Sequence, residues 1–189
     1  MANIFMTSDS HFGHKNIIEY AKRPFKDVDE MDEFIVDRWN ERVNYDDTVY
    51  HLGDFTLGDL KMAKDYFSRL NGRITVLANP WHHDKRWLPK QLRDVSLPYL
   101  LSRTGDAIKV TSPIAVLETS QTGLQEPVVL CHYEFVNWDR KHYNSFHFYG
   151  HSHQAFAPFG RKMNVGVDAH GFCPLDIAIL VGNIEGGGW

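Results

Sequence analysis

Five short apolar runs in this chain each lead, within a few residues, to histidine, aspartate or asparagine. Residues 4–7 lead to Asp9 and His11, residues 48–50 pass through His51-Leu52-Gly53 to Asp54, and residues 74–77 lead to Asn79. Residues 128–131 lead to His132, and residues 146–149 to Gly150-His151-Ser152-His153. Runs this short read as strands rather than amphipathic helices. In an α/β fold the loops leaving the C-terminal ends of strands open onto a shared crevice, so polar groups placed there meet. The expectation is that five strand ends converge on one site.

Two helical patterns separate the first three runs, over residues 28–43 and 58–71. The first carries Met31, Phe34, Ile35, Trp39 and Val43 on one stripe, with Asp27 or Asp29 available as its cap; the second carries Leu60, Ala63, Phe67 and Leu70 and stops before Gly72. A short helical segment is expected at 87–92, and extended segments at 108–111, 114–117, 128–131, 146–149, 163–167 and 177–181. The expectation is a mixed α/β body with a second sheet from the C-terminal half. At 189 residues, without repeats or a long linker, residues 1–185 read as a single domain and 186–189 as a flexible C-terminal tail.

Twenty Lys+Arg against 24 Asp+Glu give a net charge of −4, which argues against binding a long nucleic acid. No apolar run approaches the ~20 residues of a membrane span, and the first residues lack the pattern of a secretory signal. The expectation is a soluble, cytoplasmic protein with no membrane partner. Cys131 and Cys173 read as buried, reduced thiols.

An extended chain places residues i and i+2 on one side, so Asp9 with His11, and His151 with His153, are each expected to point the same way. Gly53 and Gly150 precede candidate ligands where the backbone must turn or approach closely. The donor set of imidazoles, two carboxylates and an amide, with no thiolate, suits Mn, Fe, Zn or Ni rather than Ca. Asp9, His11, Asp54, Asn79, His132, His151 and His153 are too many for one tetrahedral ion and suit two divalent ions with open positions.

The segments Asp9-Ser10-His11, Gly53-Asp54, Asn79 with a following His-Asp, His132 and Gly150-His151-Ser152-His153 resemble the calcineurin-like metallophosphoesterase superfamily. The opening Thr7-Ser8-Asp9-Ser10-His11-Phe12-Gly13-His14 and the stretch Asn164-Val165-Gly166-Val167-Asp168 resemble its small bacterial and phage members. The resemblance implies a four-layer α/β/β/α sandwich with two mixed β-sheets, the metallo-dependent phosphatase fold. It implies Asp9, His11 and His153 on one ion, Asn79, His132 and His151 on the other, and Asp54 between them, with manganese the expected metal. The implied activity is that of a hydrolase, with a metal-bound hydroxide attacking phosphorus.

The family's contiguous Gly-Asn-His-Asp is here Ala78-Asn79-Pro80-Trp81-His82-His83-Asp84, as though Pro80-Trp81-His82 were inserted. Both His82 and His83 are candidates to protonate the leaving group; His83 is favoured because His83-Asp84 keeps the dipeptide, with Asp84 expected to orient it. His14, Trp81, Arg86, Trp138 and Arg140 are candidate substrate contacts, the last two in an aromatic and basic segment, 133–143, that equally reads as a packed loop. His51, His142, His147 and His170 read as structural. The expected function is a dinuclear metal-dependent phosphodiesterase acting on a small phosphate ester or nucleotide-like substrate. A phosphomonoesterase, or a metal-binding protein without efficient turnover, is the alternative, and a homodimer is left open.

Overall fold

The computed structural model describes residues 2–78, 83–88, 94–154 and 159–186. The elements in order are β1 (Ile4–Thr7), α1 (Ile17–Tyr20), α2 (Val28–Arg42), β2 (Thr48–His51), α3 (Leu60–Phe67) and β3 (Arg73–Leu77). A 3₁₀ turn at His83–Arg86 follows, then β4 (Val95–Leu101), β5 (Ala107–Thr111), β6 (Ile114–Leu117), α4 (Thr119–Thr122) and β7 (Val128–Cys131). The chain continues through β8 (Phe146–Tyr149), β9 (Lys162–Asn164), β10 (Leu175–Asp176) and α5 (Ile177–Gly186).

Two mixed sheets result. The first has the order β10-β1-β2-β3-β5-β4, with β1, β2, β3 and β5 parallel and β10 and β4 antiparallel at its edges. The second has the order β6-β7-β8-β9, with β7, β8 and β9 parallel. In-register parallel pairing, Ile4 on Thr48 and Thr48 on Arg73, aligns the C-terminal ends of β1, β2 and β3.

Alternation along the strands divides the core in two. Phe5, Val49, Ile74 and Val76 face α2 and α3, where Met31, Ile35, Trp39, Ala63 and Phe67 close the first core. Met6, Leu52 and Leu77 face the other way and pack on Leu130, Phe146, Phe148 and Met163 of the second sheet. Asp27 caps α2 by accepting the Glu30 N–H at 2.9 Å, and Asp59 caps α3 through Met62 N at 3.0 Å. The helix α3 is shorter than its pattern, because the chain turns after Phe67 and reaches Gly72 outside the helix.

The strand expected at 177–181 is a helix. Ile177, Leu180 and Val181 are buried in the core between the sheets, a spacing of three and four, while Ile179 is 53% exposed. A short apolar run cannot be assigned by periodicity alone, and Asp176 starts the helix by accepting the Ala178 N–H at 2.7 Å. The strand β4 carries Leu97 and Leu100 into the first core and was not expected from the sequence. Gly186 ends α5, so it belongs to the helix rather than to a tail. Cys131 and Cys173 are buried and free, as expected. Among the described residues no helix is long and apolar enough to cross a membrane.

Leu180→Ala should therefore cost about 2–5 kcal/mol, and Ile179→Ala less than about 0.5, in urea unfolding. A larger loss at Ile179 would contradict the helix.

Candidate metal centre

The loops after β1 and β2 run side by side beyond their strands: Asp9 N donates to Gly53 O at 3.1 Å, His11 N to Asp54 O at 3.0 Å and Phe12 N to Phe55 O at 2.9 Å. The loops after β7 and β8 meet them from the second sheet, with Gly150 N on His132 O at 3.0 Å and His151 N on the Asp9 carboxylate (Oδ2) at 2.9 Å. Six side chains predicted as ligands thereby come together. Asp9, His11 and His153 form one group able to hold a metal ion, and Asp54, His132 and His151 form another.

The distances suit shared ions rather than direct bonds. His11 Nε2 lies 3.9 Å from Asp9 Oδ1 and 3.6 Å from Asp54 Oδ2; His132 Nε2 lies 4.0 and 3.6 Å from the same two oxygens; His153 Nε2 is 3.8 Å from Asp9 Oδ1. Two donor atoms each ~2.1 Å from one ion lie about 3–4 Å apart. Asp9 Oδ1 and His11 Nε2 are buried and have no hydrogen-bond partner among the described residues. Burying such atoms unpaired is costly, and a divalent cation between them removes the cost. The residues present therefore fit the implied metal.

Burial pushes the Asp9 carboxyl up to about 6, opposed by the charge of His153 and reinforced by that of Asp54. Burial holds His11 well below the ordinary imidazole value, which keeps it neutral and able to ligate. On His153 burial acts downward, but the hydrogen bond to Asp168 and the charge of Asp9 outweigh it and raise the pKa.

The backbone conformation is the feature that sequence reasoning missed. Asp9, His11, Asp54, His151 and His153 have φ of 61°, 54°, 55°, 71° and 50°, the left-handed region that non-glycine residues rarely adopt. The expected extended pairing of i and i+2 therefore does not occur. Asp9 and His11 still converge, but His151 and His153 go to different groups. Gly53 has φ +120°, and a Cβ there would meet the His132 ring at 3.2 Å; a Cβ at Gly150 would stand 2.3 Å from both Asp9 Oδ2 and Ser8 Oγ.

A supporting layer also escaped the sequence reading. Arg23 is buried and donates to both carboxylate oxygens of Asp168 at 2.8 and 2.9 Å, to Asp9 O at 2.7 Å and to Ser10 O at 3.0 Å. Asp168 in turn holds His153 Nδ1 at 2.8 Å, which leaves Nε2 for the metal group. Asn164 ties the 150–154 loop through Ser152 Oγ at 2.7 Å and Gln154 O at 3.1 Å. Asp168 and Asn164 belong to the stretch singled out in the sequence, but nothing in the pattern around Arg23 marks it.

His83, on its 3₁₀ turn, comes to the same place: its Nε2 is 3.9 Å from Asp54 Oδ2, and its ring centroid is 5.0 Å from that of His11 and 5.4 Å from that of His14. His14 Nδ1 lies 3.2 Å from His11 Nδ1, and the three imidazoles form a further group able to hold an ion. His14, His83, Lys85 and Arg86 line the adjoining cavity of about 550 Å³ with the candidate ligands His11, Asp54, His151 and His153. Asn79, Trp81 and His82 lie outside the described residues.

Asp84 does not orient His83. Its carboxylate is buried and accepts N–H groups of Phe55 and Thr56, each at 3.1 Å, and the Trp87 indole at 2.8 Å, so it fixes the loop that carries Asp54. Burial pushes its carboxyl up to about 7, against the N–H of Thr56. Trp138 and Arg140 do not line the metal-centre cavity. Trp138 donates to Ser145 O and Oγ at 3.1 and 3.0 Å, and Arg140 forms a two-pronged pair with Glu118 at 2.7 and 2.8 Å. Within the 133–143 segment Phe135 and Trp138 pack on His147 of the second sheet, while Tyr133 stands beside the candidate ligands, its ring centroid 5.2 Å from that of His132 and 4.9 Å from that of His151. His51 and His147 are structural: burial lowers them to about 3 and 4, and they bond Ser10 Oγ at 2.9 Å and Val129 O at 3.1 Å. His170 Nε2 meets Asn164 O at 2.6 Å, and His142 packs on Tyr143.

A comparison with known protein families finds no match to this chain. The chain is similar to an uncharacterized protein of Methanocaldococcus jannaschii, 41% identical over 87 residues, which are 45% of this chain and 48% of that protein. The match thus spans about half the length of that relative. It is also similar to the gene 66 proteins of Mycobacterium phages L5 and D29, each 26% identical, covering 90% and 99% of this chain and 89% and 100% of the phage proteins. Among solved structures, a protein of unknown function from Aquifex aeolicus, AQ665, matches with a TM-score of 0.64 and 19% identity over 95% of this chain and 98% of that one. The two share a fold.

Gly150→Ala should displace the Asp9 carboxylate and abolish the rise in melting temperature produced by Mn²⁺, whereas Gly182→Ala, with open space around its Cβ, should keep it. An unchanged metal-dependent rise in Gly150→Ala would contradict the site.

Proposed function

We propose that this protein is a metal-dependent phosphoric ester hydrolase of the calcineurin-like type, acting on phosphodiesters. The observation that carries the reading is the convergence of Asp9, His11, Asp54, His132, His151 and His153 on two adjoining groups, with Asp9 Oδ1 and His11 Nε2 buried there without hydrogen-bond partners. The reading includes the four-layer α/β/β/α sandwich of that fold. It also includes two divalent ions, manganese by preference, which Asp9, His11, Asp54, His132, His151 and His153 would hold together with Asn79.

Bound divalent ions would acidify a water and offset the charge of the phosphate. The chain's own part is to hold that centre and to serve the leaving group. Arg23 and Asp168 fix His153, Asp84 fixes the turn from β2 to Asp54, and the buried, neutral His11 turns Nε2 to the centre. The His83 side chain is 38% exposed and lines the cavity beside Asp54, where its imidazole can give a proton to the departing alkoxide. Such assistance is typically worth ~10²–10⁴ in rate. His14, one ring away, closes the cavity beside it.

Chelator-stripped protein should hydrolyse bis(p-nitrophenyl) phosphate only when Mn²⁺ is restored. Asp54→Asn should abolish turnover, and His83→Ala should lower kcat about 10²-fold or more. Folded, metal-loaded protein with no rate above buffer would replace this reading with that of a metal-binding protein without turnover.

A further inference from the structure

We propose that the 83–86 turn is a subsite for a second phosphate, so that the substrate is a phosphodiester carrying a further phosphate beside the scissile one. The proposal rests on the phosphodiesterase reading and names its substrate class.

The turn presents its residues to two sides. Asp84, Trp87 and Leu88 are buried, with Asp84 accepting three backbone and indole N–H groups, and Trp87 N and Leu88 N both bonded to Asp84 O at 3.1 and 3.0 Å. His83, Lys85 and Arg86 are left on the cavity side. The two cations are therefore held by a buried anchor rather than by a loose loop. His83 adjoins Asp54, and a 3₁₀ turn rises ~2 Å per residue, so Arg86 starts about 6 Å farther along the cavity wall.

The charges there are unspent. Among the described arginines, Arg23, Arg38, Arg69, Arg73, Arg140 and Arg161 each pair with a carboxylate, whereas Arg42, Arg86 and Arg103 do not, and of these three Arg86 alone lines the cavity. Arg86 makes one long bond, to Leu57 O at 3.4 Å, and among the described residues neither Arg86 nor Lys85 meets a carboxylate. A guanidinium fork beside an ammonium is suited to a phosphate monoester, which carries about −1.5 to −2 at pH 7. With the scissile phosphate at the metal centre, the second falls on the turn. A simple diester such as bis(p-nitrophenyl) phosphate has nothing to place there.

The test uses the full chain with Mn²⁺. Isothermal titration with thymidine 3′,5′-bisphosphate and with thymidine 5′-monophosphate should show the bisphosphate binding about tenfold or more tightly, the scale of charge-assisted hydrogen bonds. The kcat/KM for a 5′-phosphorylated thymidine dinucleotide should exceed that for the unphosphorylated one by a similar factor. Lys85→Gln with Arg86→Gln should bring both ratios close to one, whereas Lys109→Gln, outside the cavity, should keep them. Equal binding of the two mononucleotides, or ratios retained in the double variant, would overturn the subsite. Equal binding with hydrolysis of both dinucleotides overturns the subsite and leaves the phosphodiesterase reading standing. A binding preference lost in the double variant, with neither dinucleotide hydrolysed, upholds the anion subsite and overturns that reading.

Discussion

Two carboxylates, Asp9 and Asp54, are buried within reach of the same imidazoles, and the rest of the molecule is arranged around keeping them there. Carboxylates so placed repel one another and lose hydration, which burial alone makes unfavourable. A cation held between them would reverse the sign of that balance. The parallel register of β1 and β2 sets Asp9 and Asp54 side by side, and the second sheet closes over them with His132 and His151.

The backbone carries the cost of this convergence. Left-handed φ at a non-glycine residue costs of order 1–3 kcal/mol and survives only where its surroundings over-determine it. Five of the six grouped side chains belong to residues in that state. What holds them is visible: Arg23 binds the carbonyls of Asp9 and Ser10, and Asp84 gathers the N–H groups of Phe55 and Thr56 just after Asp54. Gly53 and Gly150 leave room where a methyl group would strike His132 or Asp9. Strain gathered at one set of strand ends, and relieved by buried polar braces, is the pattern of a site built for a ligand.

The strand ends were legible in the sequence because a strand's length and its polar successor are local properties. That is why 4–7, 114–117, 128–131 and 146–149 match β1, β6, β7 and β8, and why the candidate ligands were named. The segment at 177–181 reads as a strand and is a helix, since a short apolar run looks the same whether one face or two are covered. Adjacency in sequence points Asp84 at His83, whereas the backbone N–H groups it accepts, of Phe55 and Thr56, lie 29 and 28 residues away on the loop after β2. Arg23 was invisible for the same reason: its bond to Asp168 spans 145 residues. Trp138 and Arg140 have the composition of a nucleotide-binding wall, yet Ser145 and Glu118 hold them on another face.

The central claim is that the grouped side chains are metal ligands, and titrating chelator-stripped protein with Mn²⁺ by calorimetry measures it directly. Two ions bound per chain in the wild type, falling to one or none in Asp9→Asn, is the result this account predicts. No saturable binding by the folded protein, or binding that Asp9→Asn leaves unchanged, would contradict it.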